Sequence, residues 1–74
     1  MGKKTVRVGV IGAGIWGAMH ARAYAQHASA ELVGICDLDE TRAKSLAADL
    51  GVAKTFTSVD ALLDEGLDGV SVAT

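Results

Sequence analysis

Cysteine, aromatic side chains and an excess of charge of either sign are all scarce in this sequence. A single cysteine, Cys36, excludes an internal disulfide framework, and no Cys/His cluster has the spacing of a metal site. Cys36 lies in an apolar run, where the expectation is a buried, inert thiol and not a reactive one. Seven basic against nine acidic residues leave a net charge of −2, with no basic footprint of a nucleic-acid binder. No apolar run approaches the roughly 18 residues that a membrane span needs. The basic start Met1-Gly2-Lys3-Lys4 leads into an apolar stretch broken by Arg7, which is not a secretory signal. Val6 stands where a myristoylation motif wants Ser or Thr. The expectation is a soluble cytoplasmic chain that meets neither nucleic acid nor membrane.

What is present is small and aliphatic. Half the residues are apolar, with one Trp, one Tyr and one Phe among them. Such a composition suits helices packed closely on a parallel sheet. Thr5–Ile11 is β-branched, reads as a first strand buried on both faces for most of its length, and runs into a glycine loop. From Ile15 to about His27 the pattern turns helical. Gly14, Gly17, Ala18, Ala21, Ala25 and Ala28 share a face almost bare of side chains, with Trp16, His20, Ala23 and His27 on the neighbouring one. Glu31–Cys36 is a second strand. Asp39 is placed to cap a second helix with the core stripe Ala43, Leu46, Ala47 and Leu50, and Gly51 suits its C′ position. Lys54–Thr57 reads as a short third strand, Ser58 as the cap of a short helix carrying Val59, Leu62 and Leu63 and stopping at Gly66, and Asp68–Ala73 as a fourth strand.

The order β-α-β-α-β-α-β implies a parallel sheet with right-handed crossovers. Within it, Gly12-Ala13-Gly14-Ile15-Trp16-Gly17 follows a strand and opens a helix, the placement that a dinucleotide-binding G-x-G-x-x-G requires. Gly12 permits the tight turn, Gly14 lets backbone approach a pyrophosphate, and Gly17 allows close helix–strand packing. The helix N-terminus then offers free N–H groups and a positive dipole end to phosphate. Asp37 lies 20 positions beyond Gly17, at the end of strand two. A carboxylate there accepts hydrogen bonds from the adenosine ribose and repels a 2′-phosphate, which favours NAD and leaves NADP open. The competing reading makes Asp37 a helix cap, with Glu40 completing a capping box. Arg42, one turn into the second helix, reads as a solvated charge, although an arginine near this site also suits a 2′-phosphate.

These features describe a Rossmann-type fold with expected strand order 3-2-1-4, the first two helices on one face and only the short third helix on the other. The expected cofactor-binding set is Gly12, Ala13, Gly14, Ile15, Trp16 and Gly17, with Asp37, Leu38 and Thr74. Thr74 closes strand four beside the cleft, though a strand terminus without a role is an equal reading. His20 is expected to pack at the helix start while Trp16 covers the loop, in preference to any proton-transfer role. His27 is expected to be exposed, and Asp60, Asp64, Glu65 and Asp68 to form a solvated acidic patch. No catalytic residue and no metal ligand is assigned.

VGVIGAGIWGAMHARA (Val8–Ala23), ELVGICDLDETRAKSLAADLGV (Glu31–Val52), TFTSVDALL (Thr55–Leu63) and LDGVSVAT (Leu67–Thr74) together resemble the N-terminal domain of the Gfo/Idh/MocA oxidoreductase family. The resemblance spans nearly the whole chain. It implies an NAD(P)-dependent oxidoreductase of a sugar, polyol or related substrate. It also implies a cofactor held on Gly12, Gly14 and Gly17, with Asp37 at the ribose and Thr74 near the cleft. The family's proline–histidine segment, its Glu-Lys-Pro motif with the catalytic lysine, and its substrate domain fall beyond residue 74. Residues 1–74 are therefore expected to be a partial dinucleotide-binding domain, without turnover of its own and without the substrate domain. Strand four, left as an apolar edge, calls for the remainder of a polypeptide or a homo-oligomer. The competing expectation is a stand-alone or self-associating half-domain that binds dinucleotide without catalysis. A flavin is disfavoured, because flavin proteins commonly carry Glu at the acidic position.

Overall fold

The computed structural model describes residues 5–73. Its elements alternate as β1 (Val6–Ile11), α1 (Ile15–Gln26), β2 (Ala30–Cys36), α2 (Glu40–Leu50), β3 (Lys54–Phe56), α3 (Val59–Leu63) and β4 (Gly69–Val72). All strand pairs are parallel and the sheet order is β3-β2-β1-β4. The expected Rossmann-type order is the observed one, and element boundaries differ from the sequence reading by about a residue, except that α3 ends at Leu63 and not at Gly66, the residues between forming a turn.

One face of the sheet is closed by α1 and α2. Val10 of β1 and Ile35 of β2 pack there with Ala21 of α1 and with Ala43, Leu46 and Ala47 of α2, all buried. Alanine dominates the helix side because small side chains let a helix lie close to the strands. The bare stripe of α1 is shorter than its periodicity suggests. Gly17 and Ala21 are buried, whereas Ala25 and Ala28 are exposed. The stripe gives way to Tyr24, half-buried, whose hydroxyl hydrogen-bonds the Ser71 hydroxyl of β4. A long side chain serves there because α1 must reach across to the outer strand.

Local chemistry sets the helix ends. Asp39 caps α2 by accepting the Arg42 N–H at 3.2 Å, and Ser58 caps α3 through the Ala61 N–H. Gly51 ends α2 at φ 72°, a left-handed conformation that favours glycine, and the Val52 N–H closes back on the Ala47 carbonyl at 2.8 Å.

The opposite face is thinner. Gly9 of β1 and Gly34 of β2 are register partners, with the pairing skipping Val33 just before them. A Cβ on Gly9 would stand 2.9 Å from Leu67 and 3.0 Å from Leu62, and one on Gly34 would stand 2.7 Å from the Phe56 ring. The two glycines form a floor onto which α3 sets Leu62, which is fully buried. Beyond that footprint the sheet is open, with Val72 at 66% exposure and Val70 at 38%. The acidic patch expected in solvent is partly structural. Asp68 accepts the Arg7 N–H at 2.8 Å, and Glu65 pairs with Lys54, while Asp60 and Asp64 are exposed.

Candidate functional site

The carboxyl ends of the strands meet in a row. The Asp37 N–H donates to the Phe56 carbonyl, the Gly12 N–H to the Cys36 carbonyl at 2.7 Å, and the Ala73 N–H to the Ile11 carbonyl. The chain leaving β1 is thereby gripped on both sides before it turns into the glycine loop. Gly12 makes that turn at φ 106°, which an L side chain rarely adopts. Gly17 lies directly against it: a Cβ there would fall 1.7 Å from the Gly12 carbonyl oxygen. Gly14 is the contrasting case, because a Cβ there would meet almost nothing and the backbone faces open space. Gly14 is also the N-cap of α1, with no side-chain cap and no acidic residue in the first turn. The N-terminal dipole end of α1 is therefore left to whatever occupies the cleft.

Asp37 ties the second strand to this loop. One carboxylate oxygen accepts the Ala13 N–H at 2.7 Å and the other accepts the Asp39 N–H at 2.8 Å. The Asp39 N–H, then the Ala13 N–H, hold the Asp37 carboxyl below the usual carboxylate range, with the Arg42 charge adding to the effect and partial burial opposing it. The capping-box alternative fails, because Asp39 and not Asp37 caps α2. Each Asp37 oxygen keeps a lone pair for a further donor.

Three hollows open around this arrangement. One of about 330 Å³ runs between Gly12, Gly14, Trp16, Asp37, Arg42 and Ala73. A shallower groove of about 750 Å³ continues along α1 past Ala13, Ile15 and Met19 to Arg22, again with Arg42 on its wall. A smaller apolar hollow of about 160 Å³ lies between Leu38, Cys36 and Gly12 on one side and Thr57 and Val59 on the other. Leu38 is 92% exposed beside it. Cys36 is buried as expected, and its thiol pKa is raised by burial first and by the neighbouring Asp37 charge second.

The structure brings Gly12, Ala13, Gly14, Ile15, Trp16, Gly17, Asp37 and Leu38 to one end of the sheet. Thr74 lies outside the described residues. The packing expected of His20 does not occur, since His20 is exposed, whereas Trp16, 67% exposed, lines two hollows beside the glycine loop. His27, at the end of α1, is exposed as expected. Arg42, read from sequence as a solvated charge, lines two of the three hollows. The signal was available: α2 starts from the same edge of the sheet as α1, so its first turn must face the glycine loop. No group of three metal-ligating side chains occurs among the described residues. No helix among them is long and apolar enough to cross a membrane.

Residues 6–74 match the Gfo/Idh/MocA family, described as an oxidoreductase family with an NAD-binding Rossmann fold. The chain belongs to that family. It is 41% identical over 73 residues to inositol 2-dehydrogenase 1 of Saccharopolyspora erythraea, a match covering 95% of this chain and 22% of that protein. The solved UDP-N-acetylglucosamine 3-dehydrogenase of Acidithiobacillus ferrooxidans superposes with a TM-score of 0.83 at 46% identity, over 95% of this chain and 22% of that one. The myo-inositol dehydrogenase of Lactobacillus casei, solved in complex with NAD(H) and myo-inositol, superposes with a TM-score of 0.87 at 32% identity over 95% of this chain and 22% of that one. This chain thus spans about a fifth of the length of the relatives it matches.

Proposed function

We propose that this chain is the opening part of the dinucleotide-binding domain of an NAD(P)-dependent oxidoreductase that acts on a sugar, polyol or related substrate. The observation that carries the reading is the bond from the Ala13 N–H to Asp37, which sets a carboxylate beside the open backbone of Gly14. The residues fit the cofactor. Gly14 and the uncapped first turn of α1, with Ile15 and Trp16, receive the pyrophosphate, while Gly12 and Gly17 hold the turn that makes them accessible. Asp37 accepts the adenosine ribose hydroxyls, and Leu38 forms one wall of the apolar hollow for the adenine. Thr74 follows the cleft-lining Ala73 in sequence and is the remaining residue proposed for cofactor binding. When bound, the cofactor supplies a nicotinamide ring that accepts or gives hydride. The chain's own part is binding and orientation, and no catalytic residue is assigned to it.

An Asp37 held ionised repels a 2′-phosphate, so NAD is the preferred cofactor. The exposed β4 edge with Val70 and Val72 supports association with further polypeptide, either the remainder of a longer chain or a second copy. Titration with NADH and NADPH, followed by Trp16 emission, tests the reading. Saturable quenching with NADH binding tighter than NADPH is expected. Equal affinities would remove the NAD preference, and a folded chain that binds neither would overturn the assignment.

A further inference from the structure

Resting on the dinucleotide reading above, we infer that Tyr24 and Ser71 form a positioning pair for the nicotinamide half of the cofactor. Their hydroxyls are hydrogen-bonded across the space between α1 and β4. This is the one side-chain hydrogen bond from a helix to β4 among the described residues. Ser71 is the register partner of Val10 and shares its face of the sheet, the one that α1 covers. Ala73 follows two positions on, along the same face, and lines the hollow at Gly12, Gly14 and Asp37. What fixes Ser71 therefore fixes the cleft wall just beyond it.

The two sides of the cleft are secured unequally. On the β2 side, Asp37 bonds the Ala13 N–H, and β2 lies between β1 and β3 in the sheet. The first turn of α1 is pinned where Gly17 meets the Gly12 carbonyl. β4 is an outer strand, paired with β1 alone through a ladder of four residues. Ladder bonds set its spacing from β1, and the Tyr24 hydroxyl sets its distance from α1. The bond is partly buried, which shields it from competing water. A dinucleotide lies across the point where strand order reverses, here between β1 and β4. With the adenosine half at Asp37 and Leu38, the nicotinamide half falls to the β4 side. A wall held in place beforehand spares binding the cost of ordering it.

The pair is tested by titrating the unaltered chain, Tyr24→Phe, Ser71→Ala and the double variant with NADH. ADP affinity is read on the same samples by displacement of NADH, and circular dichroism checks that each is folded. For each single variant, NADH affinity is expected to fall about fivefold, the scale of one neutral hydrogen bond. ADP affinity is expected to hold, because ADP lacks the nicotinamide half. The double variant is expected to bind NADH as the single variants do, since the same one bond is lost in all three. Equal losses for NADH and ADP would overturn the inference, making the pair a support of the whole fold. Losses that multiply in the double variant would overturn the pairing. Unchanged NADH affinity in either folded single variant would overturn it outright, so Ser71→Ala decides the matter even if Tyr24→Phe does not fold. If the unaltered chain binds neither ligand, the dinucleotide reading itself fails, a result separate from any effect of the pair.

Discussion

The two faces of the sheet are built on different principles. On the α1–α2 face, two helices of 12 and 11 residues spread the burial over many small side chains. On the α3 face, a helix of five residues sets one fully buried leucine onto a floor of two glycines. The first arrangement distributes its stability, so no single side chain is decisive. The second concentrates it, because Gly9 and Gly34 have nothing of their own to fill the space that Leu62 occupies. The glycine loop belongs to the distributed face, which gives it a rigid base at Gly17 while leaving Gly14 open.

Truncating the concentrated face should do the most damage. Leu62→Ala is expected to cost about 4 kcal/mol and Leu46→Ala, on the distributed face, about 3 kcal/mol, both by urea unfolding. The reverse order would show that the thin face does not depend on its one leucine. Gly17→Ala should follow at about 2–3 kcal/mol and remove NADH binding, because backbone and not a movable side chain blocks the new methyl group. Retained binding would mean that the loop can be rebuilt around a side chain. Gly34→Ala is expected to cost about 1–2 kcal/mol, since the Phe56 ring can shift.

A smaller effect concerns pH. The Asp37 carboxyl is depressed in the folded chain, so its stabilising contribution is complete above the unfolded value of about 3.9 and is lost as pH falls toward the folded value. Asp37→Asn should flatten that acid limb of the stability curve, and an unchanged limb would mean that the two backbone bonds do not hold the charge. The smallest change is expected on the open sheet. Val72→Thr should alter stability by less than about 0.5 kcal/mol in urea unfolding, and a larger loss would show that this surface is covered.

Much of this architecture was legible because its signals are local. β-Branched runs, caps at Asp39 and Ser58, and glycines at Gly12 and Gly51 each act on their own few residues. The stripe of α1 misled at Ala25 and Ala28, since periodicity cannot say where a helix crosses the edge of the sheet it covers. His20 was misplaced for a related reason: nothing in the helical pattern says which flank of α1 the second helix leaves open. Asp37 was legible as a carboxylate at the right spacing, but its hold on Ala13 was not.

By itself, then, the sequence determined the order of elements, the glycine loop between β1 and α1 and the acid at the end of β2, because spacing along the chain and backbone preference suffice for these. Only the tertiary structure decided that Gly9 and Gly34 meet beneath Leu62, that Asp37 bonds the glycine loop, and that Arg42 stands over Gly14. Each of those joins residues more than 20 positions apart. Such meetings depend on strand order and parallel register, which are settled when the whole sheet assembles and packs.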